Sequence, residues 1–144
     1  MHRFLRLPAA KRYLLVNTLF VMIAIRLGLW VLPFRAITRL VTWACSSRRS
    51  GQPKSGSVAD IVWAVAVVAR RLPAATCLVQ ALTGQVLMNR AGYVPQIEFG
   101  VVRDAEGHLR AHAWIRCEGE VVIGGLESAL KQYVPLRAGE RSTP

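Results

Sequence analysis

The sequence predicts an α+β domain, in which a helical first part is followed by a small antiparallel sheet. Apolar residues recur at helical spacing in the first part, and the apolar excess is concentrated before residue 45. From Gln96 onward the alternation has a period of two, and short turns separate three strand-like segments. A length of 144 residues suits one domain with a core of useful size.

The first helical region is the most apolar part of the chain. Pro8 suits the first turn of a helix, and residues 13–33 are nearly all apolar, with Arg26 inside the run. The run is as long as a membrane span, but a charge within such a span is costly. No small-residue cleavage site follows, which argues against a signal peptide. We therefore expect a buried amphipathic hairpin, with a second helix over 34–43, rather than a membrane segment.

A polar, Gly/Ser-rich segment at residues 46–57 divides the chain. We expect residues 1–57 to form an apolar helical N-terminal region and linker. Residues 58–144 are then expected to form the core that carries the chemistry.

This core is predicted to begin with two helices. The first spans 58–72, with Ser57 as its N-cap and Pro73 as its stop signal. The second spans 77–91, and Gly92 lies where a left-handed C-cap residue is expected.

Three strands are predicted after the helices, over 96–102, 109–116 and 120–123. A turn at 104–107 joins the first two strands, and a tight two-residue turn at 118–119 joins the last two. The result is an antiparallel meander.

The net charge of +11, from 19 basic and 8 acidic residues, bears on possible partners. Such a balance suits nucleic acid, anionic lipid or an acidic peptide, and it also arises from solvated arginines in an Arg-rich composition. The sequence has no RRM, zinc-finger or KH pattern and no aromatic-rich basic strand. We expect no nucleic-acid partner.

The three cysteines, Cys45, Cys77 and Cys117, include no C-x-x-C pair. That spacing argues against a zinc site or a dense disulfide framework, and it fits a reducing compartment. We expect no metal, no cofactor and a cytoplasmic location, with membrane association as the less favoured option. Cys45 and Cys117 are interpreted as small buried apolar side chains.

Cys77 and His112 are the candidate catalytic residues. A cysteine at a helix start and a histidine on a later strand can form a nucleophile–base pair, because the two need to meet in space and not in sequence. Unpaired N–H groups at a helix N-terminus stabilise a thiolate. His108 lies near a turn and His2 in the terminal tail, so His112 is the candidate base. A buried structural cysteine is the alternative for Cys77.

The hairpin register predicts which residues lie beside His112. With residues 118–119 as the turn, counting back along the hairpin puts Trp114 opposite Ile123 and His112 opposite Gly125.

No carboxylate occupies that region to orient the imidazole, because Gly124 and Gly125 stand there. Glu127 is the nearest carboxylate downstream and is the candidate third catalytic residue. A backbone carbonyl or a water molecule can hold the ring instead. From these residues, the catalytic group can be either a Cys–His dyad or a triad.

Three stretches carry a resemblance to a known family: residues 71–82 (RLPAATCLVQAL), 98–104 (EFGVVRD) and 111–115 (AHAWI). They resemble the lasso-peptide leader peptidases, which are transglutaminase-like cysteine proteases of bacterial lasso-peptide gene clusters. The order, the gaps and the preceding apolar helical region match across most of the chain. The resemblance implies a papain-like, transglutaminase-like core, in which a Cys-bearing helix packs on a small antiparallel sheet.

The same resemblance implies Cys77 as the nucleophile and His112 as the base. The third residue of the family is an Asp on the next strand, and this chain departs from the pattern there, since Gly124 and Gly125 occupy that region.

The implied activity is removal of the leader from a lasso precursor peptide, a step of ribosomal peptide natural-product maturation. A separate lasso cyclase then closes the isopeptide ring. Residues 1–57 are too helical and apolar to be the small leader-binding domain fused to some members, so the resemblance implies a stand-alone leader-recognition protein as partner.

Two other functions remain open. One is a membrane-associated protein whose apolar N-terminal part inserts in the bilayer and whose basic surface binds anionic lipid or an acidic partner. The other is a non-catalytic transglutaminase-like module that binds peptide without cleaving it.

Overall fold

The computed structural model describes residues 6–46, 55–73, 75–125 and 127–136. Within these ranges the chain forms five helices and four strands, and the predicted α+β class is confirmed. In chain order they are α1 (Ala9–Val31), α2 (Phe34–Ser46), α3 (Val58–Ala69), α4 (Cys77–Arg90), β1 (Gln96–Arg103), β2 (Leu109–Cys117), β3 (Glu120–Ile123), α5 (Glu127–Leu130) and β4 (Val134–Pro135).

Helices α1 and α2 form the predicted helical pair. They approach closely at Gly28, where an added Cβ would lie 2.6 Å from Cδ1 of Ile37. The expected burial of this pair holds for one face only. Met22 of α1 is fully buried in the core, whereas Phe20 and Trp30 of the same helix are exposed.

Among the described residues, α1 is the one helix long and apolar enough to cross a membrane by length and composition. Only 22% of its most apolar 18-residue stretch is buried in the structure. Polar contacts also tie α1 to α3. The Lys11 ammonium lies 3.2 Å from Oδ1 of Asp60 and 5.3 Å from the centre of the Trp63 ring. The helix is therefore packed on the domain along one side.

Helix α3 begins where the sequence predicts. The Ser57 hydroxyl accepts a hydrogen bond from the N–H of Ala59 at 3.1 Å. The helix ends at Ala69, three residues before the predicted end, because the chain tightens there: the Arg71 N–H donates to the Val68 carbonyl three residues back.

Most of the predicted linker, residues 47–54, lies outside the described residues. Its end is fixed to the turn that follows α4, since the Ser55 N–H donates to the Ala91 carbonyl at 2.9 Å and the Tyr93 hydroxyl donates to the Gly56 carbonyl at 2.9 Å.

The four strands form an antiparallel sheet in the order β3-β2-β1-β4. Helix α5 and strand β4 were not predicted, because four helical residues and a two-residue strand ending in a proline carry no periodicity. Strand β4 pairs with β1 at Gly100 and Pro135, and the Leu136 N–H donates to the Phe99 carbonyl at 2.8 Å.

The predicted hairpin register is wrong by one residue beyond the turn. Cys117 pairs with Glu120, which agrees with a turn at 118–119, but Ile115 and not Trp114 lies opposite Ile123. The cause is an irregularity of the bulge type, in which β3 advances two residues while β2 advances one.

The two faces of the sheet have different surroundings. On one face, Ala113, Ile115 and Cys117 of β2 join a single core with α1, α2, α3 and α4. Close packing of α4 requires Gly84, since a Cβ there would collide with Cδ1 of Ile123 and lie 3.0 Å from Cδ1 of Ile115. The opposite face carries His112 and Trp114, together with Glu98 and Gly100, their partners on β1.

Candidate active site

Cys77 is the first residue of α4, and its thiol is free and half-buried. Thr76 caps the helix, its hydroxyl accepting from the N–H of Val79 at 3.5 Å. The Gln80 N–H donates to the Thr76 carbonyl, so the N–H groups of Cys77 and Leu78 lie ahead of the first main-chain bond of the helix. Cys77 is therefore at the end of the helix where main-chain donors have no intrahelical partner.

His112 is held by a main-chain oxygen. Its Nε2 lies 2.5 Å from the carbonyl oxygen of Gly124. A carbonyl oxygen only accepts, so Nε2 must carry the hydrogen of this bond. In the neutral ring, Nδ1 then has the free lone pair, which is the form that a general base needs.

Two aromatic rings pack against the imidazole. The Trp114 ring lies 6.3 Å away at an interplanar angle of 27°, and the Tyr133 ring lies 5.4 Å away at 32°. Trp114 is itself anchored, because its Nε1–H donates to Oε2 of Glu98 at 2.5 Å and the other Glu98 oxygen accepts from Nε of Arg116 at 3.3 Å. The ring of His112 is therefore packed beside two aromatic rings, and a hydrogen bond to Glu98 anchors one of them, that of Trp114.

Sequence reasoning did not find Glu98 and Tyr133. Counting from the predicted turn at 104–107 pairs Glu98 with Ala113, whereas the structure pairs Glu98 with Trp114, because the loop is one residue longer than predicted. Tyr133 gave no sequence signal, because α5 and β4 bring it to the sheet and neither was predicted.

Because Gly124 has no side chain, the loop that follows β3 can pack directly against β2. Its φ is +107°, and an added Cβ would lie 2.5 Å from Cβ of Trp114 and 2.9 Å from the Ala113 carbonyl oxygen. An aspartate does not fit at this position in this conformation. The main-chain oxygen of Gly124 therefore occupies the place beside His112, whereas the sequence predicted Gly125 opposite it.

Glu127 begins α5, but its side chain lies outside the part of the chain that the structure describes. Its role as a third catalytic residue stays a prediction.

Cys77 and His112 lie toward the same end of the sheet. Strand β1 begins six residues after α4 ends, and its first residue pairs with Arg116, so the C-terminus of α4 is at that end of β2. From the contact between Gly84 and Ile115, Cys77 is seven residues back along α4 and His112 three residues back along β2. Both distances are about 10 Å along the two elements.

Their faces differ, however. Cys77 packs against the core cluster that includes Ala113 and Ile115, whereas His112 and Trp114 occupy the other face of β2. Within the described ranges, no hydrogen bond joins the Cys77 sulfur to the His112 ring. The pairing of these two side chains stays a prediction.

The other two cysteines and the other two histidines are not candidate catalytic residues. Cys117 is buried, as expected, while Cys45 is only half-buried. The His108 ring is exposed, with Nδ1 3.6 Å from Oδ1 of Asp104, and His2 lies outside the described residues. In the described part of the chain, no three His, Cys, Asp or Glu side chains come together as metal ligands.

Comparison with known proteins identifies the family. A profile described as the transglutaminase-like superfamily matches residues 19–138, from the middle of α1 to beyond β4. The chain belongs to the transglutaminase-like superfamily. This superfamily includes cysteine proteases, and its fold is commonly that of a cysteine peptidase or transferase. No curated protein and no solved structure matches the chain.

The match to the transglutaminase-like superfamily covers the second half of α1 and all of α2 as well as the sheet. The division of the chain at residue 57 stays a prediction.

Proposed function

We propose that the chain is a cysteine peptidase that removes the leader from a lasso precursor peptide, with Cys77 as nucleophile and His112 as base. The observation that carries the proposal is Cys77 at the start of a capped helix, packed on an antiparallel sheet, in a chain of the transglutaminase-like superfamily. The resemblance of residues 71–82 and 111–115 to leader peptidases supports the choice of substrate.

The proposed reaction has two halves. In the first, Nδ1 of His112 takes the thiol proton and the Cys77 sulfur bonds to the carbonyl carbon of the last leader residue. The N–H groups of Cys77 and Leu78 stabilise the developing oxyanion. The peptide C–N bond then breaks, and His112 gives its proton to the leaving amine of the core peptide.

In the second half, water attacks the thioester while His112 accepts one of its protons. The C–S bond breaks, the leader leaves with a free carboxyl group, and the Cys77 thiol is restored. A lasso cyclase would then act on the released core peptide.

The Gly124 carbonyl supports a dyad in this mechanism. Its bond to Nε2 favours the tautomer in which Nδ1 is the base. Glu127 remains the candidate for a third residue, acting on the same ring or through water.

The proposal extends to partners and location. A stand-alone leader-recognition protein would hold the leader and present the cleavage point to Cys77. Three cysteines with no C-x-x-C pair fit a reducing bacterial cytoplasm.

A second candidate function is peptide binding without cleavage. It is favoured by one observation, the position of His112 on the sheet face opposite the face that packs with α4. In that case Cys77 and His112 would not act on one substrate atom.

The test is mass spectrometry of the precursor after incubation with the chain and the recognition protein. We expect wild-type protein and Cys45→Ala to cut at the leader–core junction, and Cys77→Ala and His112→Ala to leave the precursor intact. Cys77→Ala should keep the stability of the wild type to within about 1 kcal/mol, because little volume is removed. Cleavage by Cys77→Ala would place the nucleophile elsewhere. A wild-type protein that binds the precursor and never cuts it would favour the second candidate.

A further inference from the structure

An apolar stripe runs along the exposed side of α1. Its members are alternately three and four residues apart, so they share one face of the helix, and we call them the α1 stripe. All are large and exposed, with Phe20 at 69% and Trp30 at 82% of full exposure. The stripe consists of Tyr13, Val16, Phe20, Ile23, Leu27 and Trp30.

The α1 stripe lies opposite the face that packs on the domain. Met22 is fully buried, and it lies two positions after Phe20, which is about 200° around the helix. Leu15 and Ile25 are buried on the same side as Met22. The domain therefore uses one apolar face of α1 and leaves a second one uncovered. A continuous row of exposed large apolar side chains is typical of an interaction site.

Charge is concentrated in the same part of the chain. All eight acidic residues lie at or after Asp60, whereas ten of the nineteen basic residues precede it. Residues 1–59 thus carry ten of the eleven net positive charges. Arg26, Arg35 and Arg39 are exposed on α1 and α2. The charged residues that α1 and α2 themselves carry are all basic. An apolar helix face with basic residues on its own and the neighbouring helix is complementary to a surface that is apolar inside and negative outside.

We propose that α1 docks this protein on the surface of an anionic lipid bilayer, with the α1 stripe in the acyl boundary and the helix in the plane of the membrane. Exposed tryptophan and tyrosine side chains suit the headgroup level, and arginines bind lipid phosphates. This docking is independent of the proposed peptidase reaction, since neither Cys77 nor His112 is on α1.

Two other arrangements fit the structure less well. A membrane-crossing α1 would lose the burial of Met22 and Ile25 and the Lys11–Asp60 ion pair. A second copy of the chain on the stripe would bring together two regions that contain basic and no acidic residues, and like charges repel.

The experiment is flotation of the full chain with vesicles of phosphatidylcholine alone or of phosphatidylcholine mixed with phosphatidylglycerol. We expect binding to the mixed vesicles to be at least about tenfold stronger and to weaken with salt. The variant Phe20→Ser/Leu27→Ser/Trp30→Ser should bind at least about tenfold less. Val94→Ser/Leu109→Ser, which alters exposed apolar residues elsewhere, is the matched control and should bind like the wild type.

A second pair of variants tests the charge. Arg35→Gln/Arg39→Gln should lower binding to the mixed vesicles by about tenfold or more, whereas Arg103→Gln/Arg110→Gln, with the same loss of charge, should not. Circular dichroism checks folding, and the single change Trp30→Ser serves if the triple variant does not fold. Cys77→Ala should float like the wild type, which separates docking from catalysis.

Three outcomes would overturn the proposal. One is equal binding of wild type and triple variant to the mixed vesicles. Another is a wild-type dimer in sedimentation analysis that the triple variant abolishes, with no vesicle binding. The third is wild-type protein that stays in the vesicles after an alkaline wash, which indicates a crossing helix.

Discussion

The imidazole of His112 depends on a main-chain oxygen where a side-chain carboxylate is expected. The oxygen of Gly124 is set by the φ and ψ angles of the loop and by the contact of that loop with Trp114. Its position therefore tolerates no side chain at residue 124. The orientation of the ring is built into the backbone, and substitutions that move the loop should affect His112 directly.

Gly124→Ala tests this dependence. The new Cβ meets Trp114 and the positive φ is unfavourable for alanine, so we expect a loss of about 2–4 kcal/mol in the free energy of unfolding and a large loss of peptide cleavage. Gly107→Ala is the control, since its φ is +86° with open space around it, and it should cost about 1 kcal/mol with cleavage retained. Urea denaturation and the cleavage rate are the measurements. Equal effects of the two changes would remove the special role of Gly124.

Tyr133 should matter through its ring and not through its hydroxyl. The ring packs 5.4 Å from the imidazole and 6.2 Å from Trp114. We expect Tyr133→Phe to keep cleavage near the wild-type rate and Tyr133→Ala to lower it by about tenfold or more, because a misplaced base is costly. Steady-state kinetics on the same precursor provide the comparison. A loss with phenylalanine as large as that with alanine would point to the hydroxyl instead.

At the scale of elements, the contact between α4 and the sheet sets where Cys77 lies. Gly84 is the point of closest approach, facing Ile115 and Ile123. A side chain at residue 84 pushes the helix away from β2 and β3.

Gly84→Val should therefore lower the free energy of unfolding by about 1–3 kcal/mol through overpacking. The double variant Gly84→Val/Ile123→Ala returns volume at the contact and should recover part of that loss. Thermal or urea denaturation of the wild type and the three variants, including Ile123→Ala alone, measures the coupling. If the losses of the two single variants simply add in the double variant, the side chains at residues 84 and 123 are not energetically coupled.

Elements with strong local signals were predictable from the sequence. The helix start at Cys77, the cap at Ser57 and the turn at 118–119 follow from residue type and periodicity. The bulge in the β2–β3 hairpin left no sequence signal, so the register beside His112 came out one residue off. Helix α5 and strand β4 are too short to show a periodic pattern, so the sequence does not predict them. Tyr133 lies between these two elements and is therefore not predicted either.

The sequence predicts the two candidate residues, Cys77 and His112, but it does not predict how their side chains are placed relative to each other. Motif and spacing select Cys77 and His112, but the face that a strand residue occupies depends on which alternate residues the helices cover. That choice is made by packing of the whole core, in which Ala113 and Ile115 face α4.

At the scale of the molecule, one core joins the apolar helical pair to the sheet. The superfamily match likewise runs from residue 19 through the sheet to residue 138. The N-terminal helices therefore support the region that carries Cys77, and the uncovered side of α1 is left for an outside partner.

Leader recognition by a second protein makes a prediction for the whole assembly. Tethering the leader raises the local substrate concentration to roughly millimolar, so cleavage should be slow with this chain alone and much faster with the recognition protein. If the +11 charge helps to bind an acidic leader or partner, salt should reduce the gain. Precursor cleavage is measured by mass spectrometry with and without the partner at two salt concentrations. Equal rates in all four conditions would contradict both parts.

The most direct measurement is intact-mass spectrometry of the chain after acid quenching of the reaction with precursor and recognition protein. Attack by Cys77 predicts a transient species heavier by the leader less one water, with the added mass on the peptide that contains Cys77. The adduct should be absent from Cys77→Ala and present in Cys45→Ala. Cleavage of the precursor by Cys77→Ala, or an adduct on another residue, would contradict the assignment of Cys77 as the nucleophile.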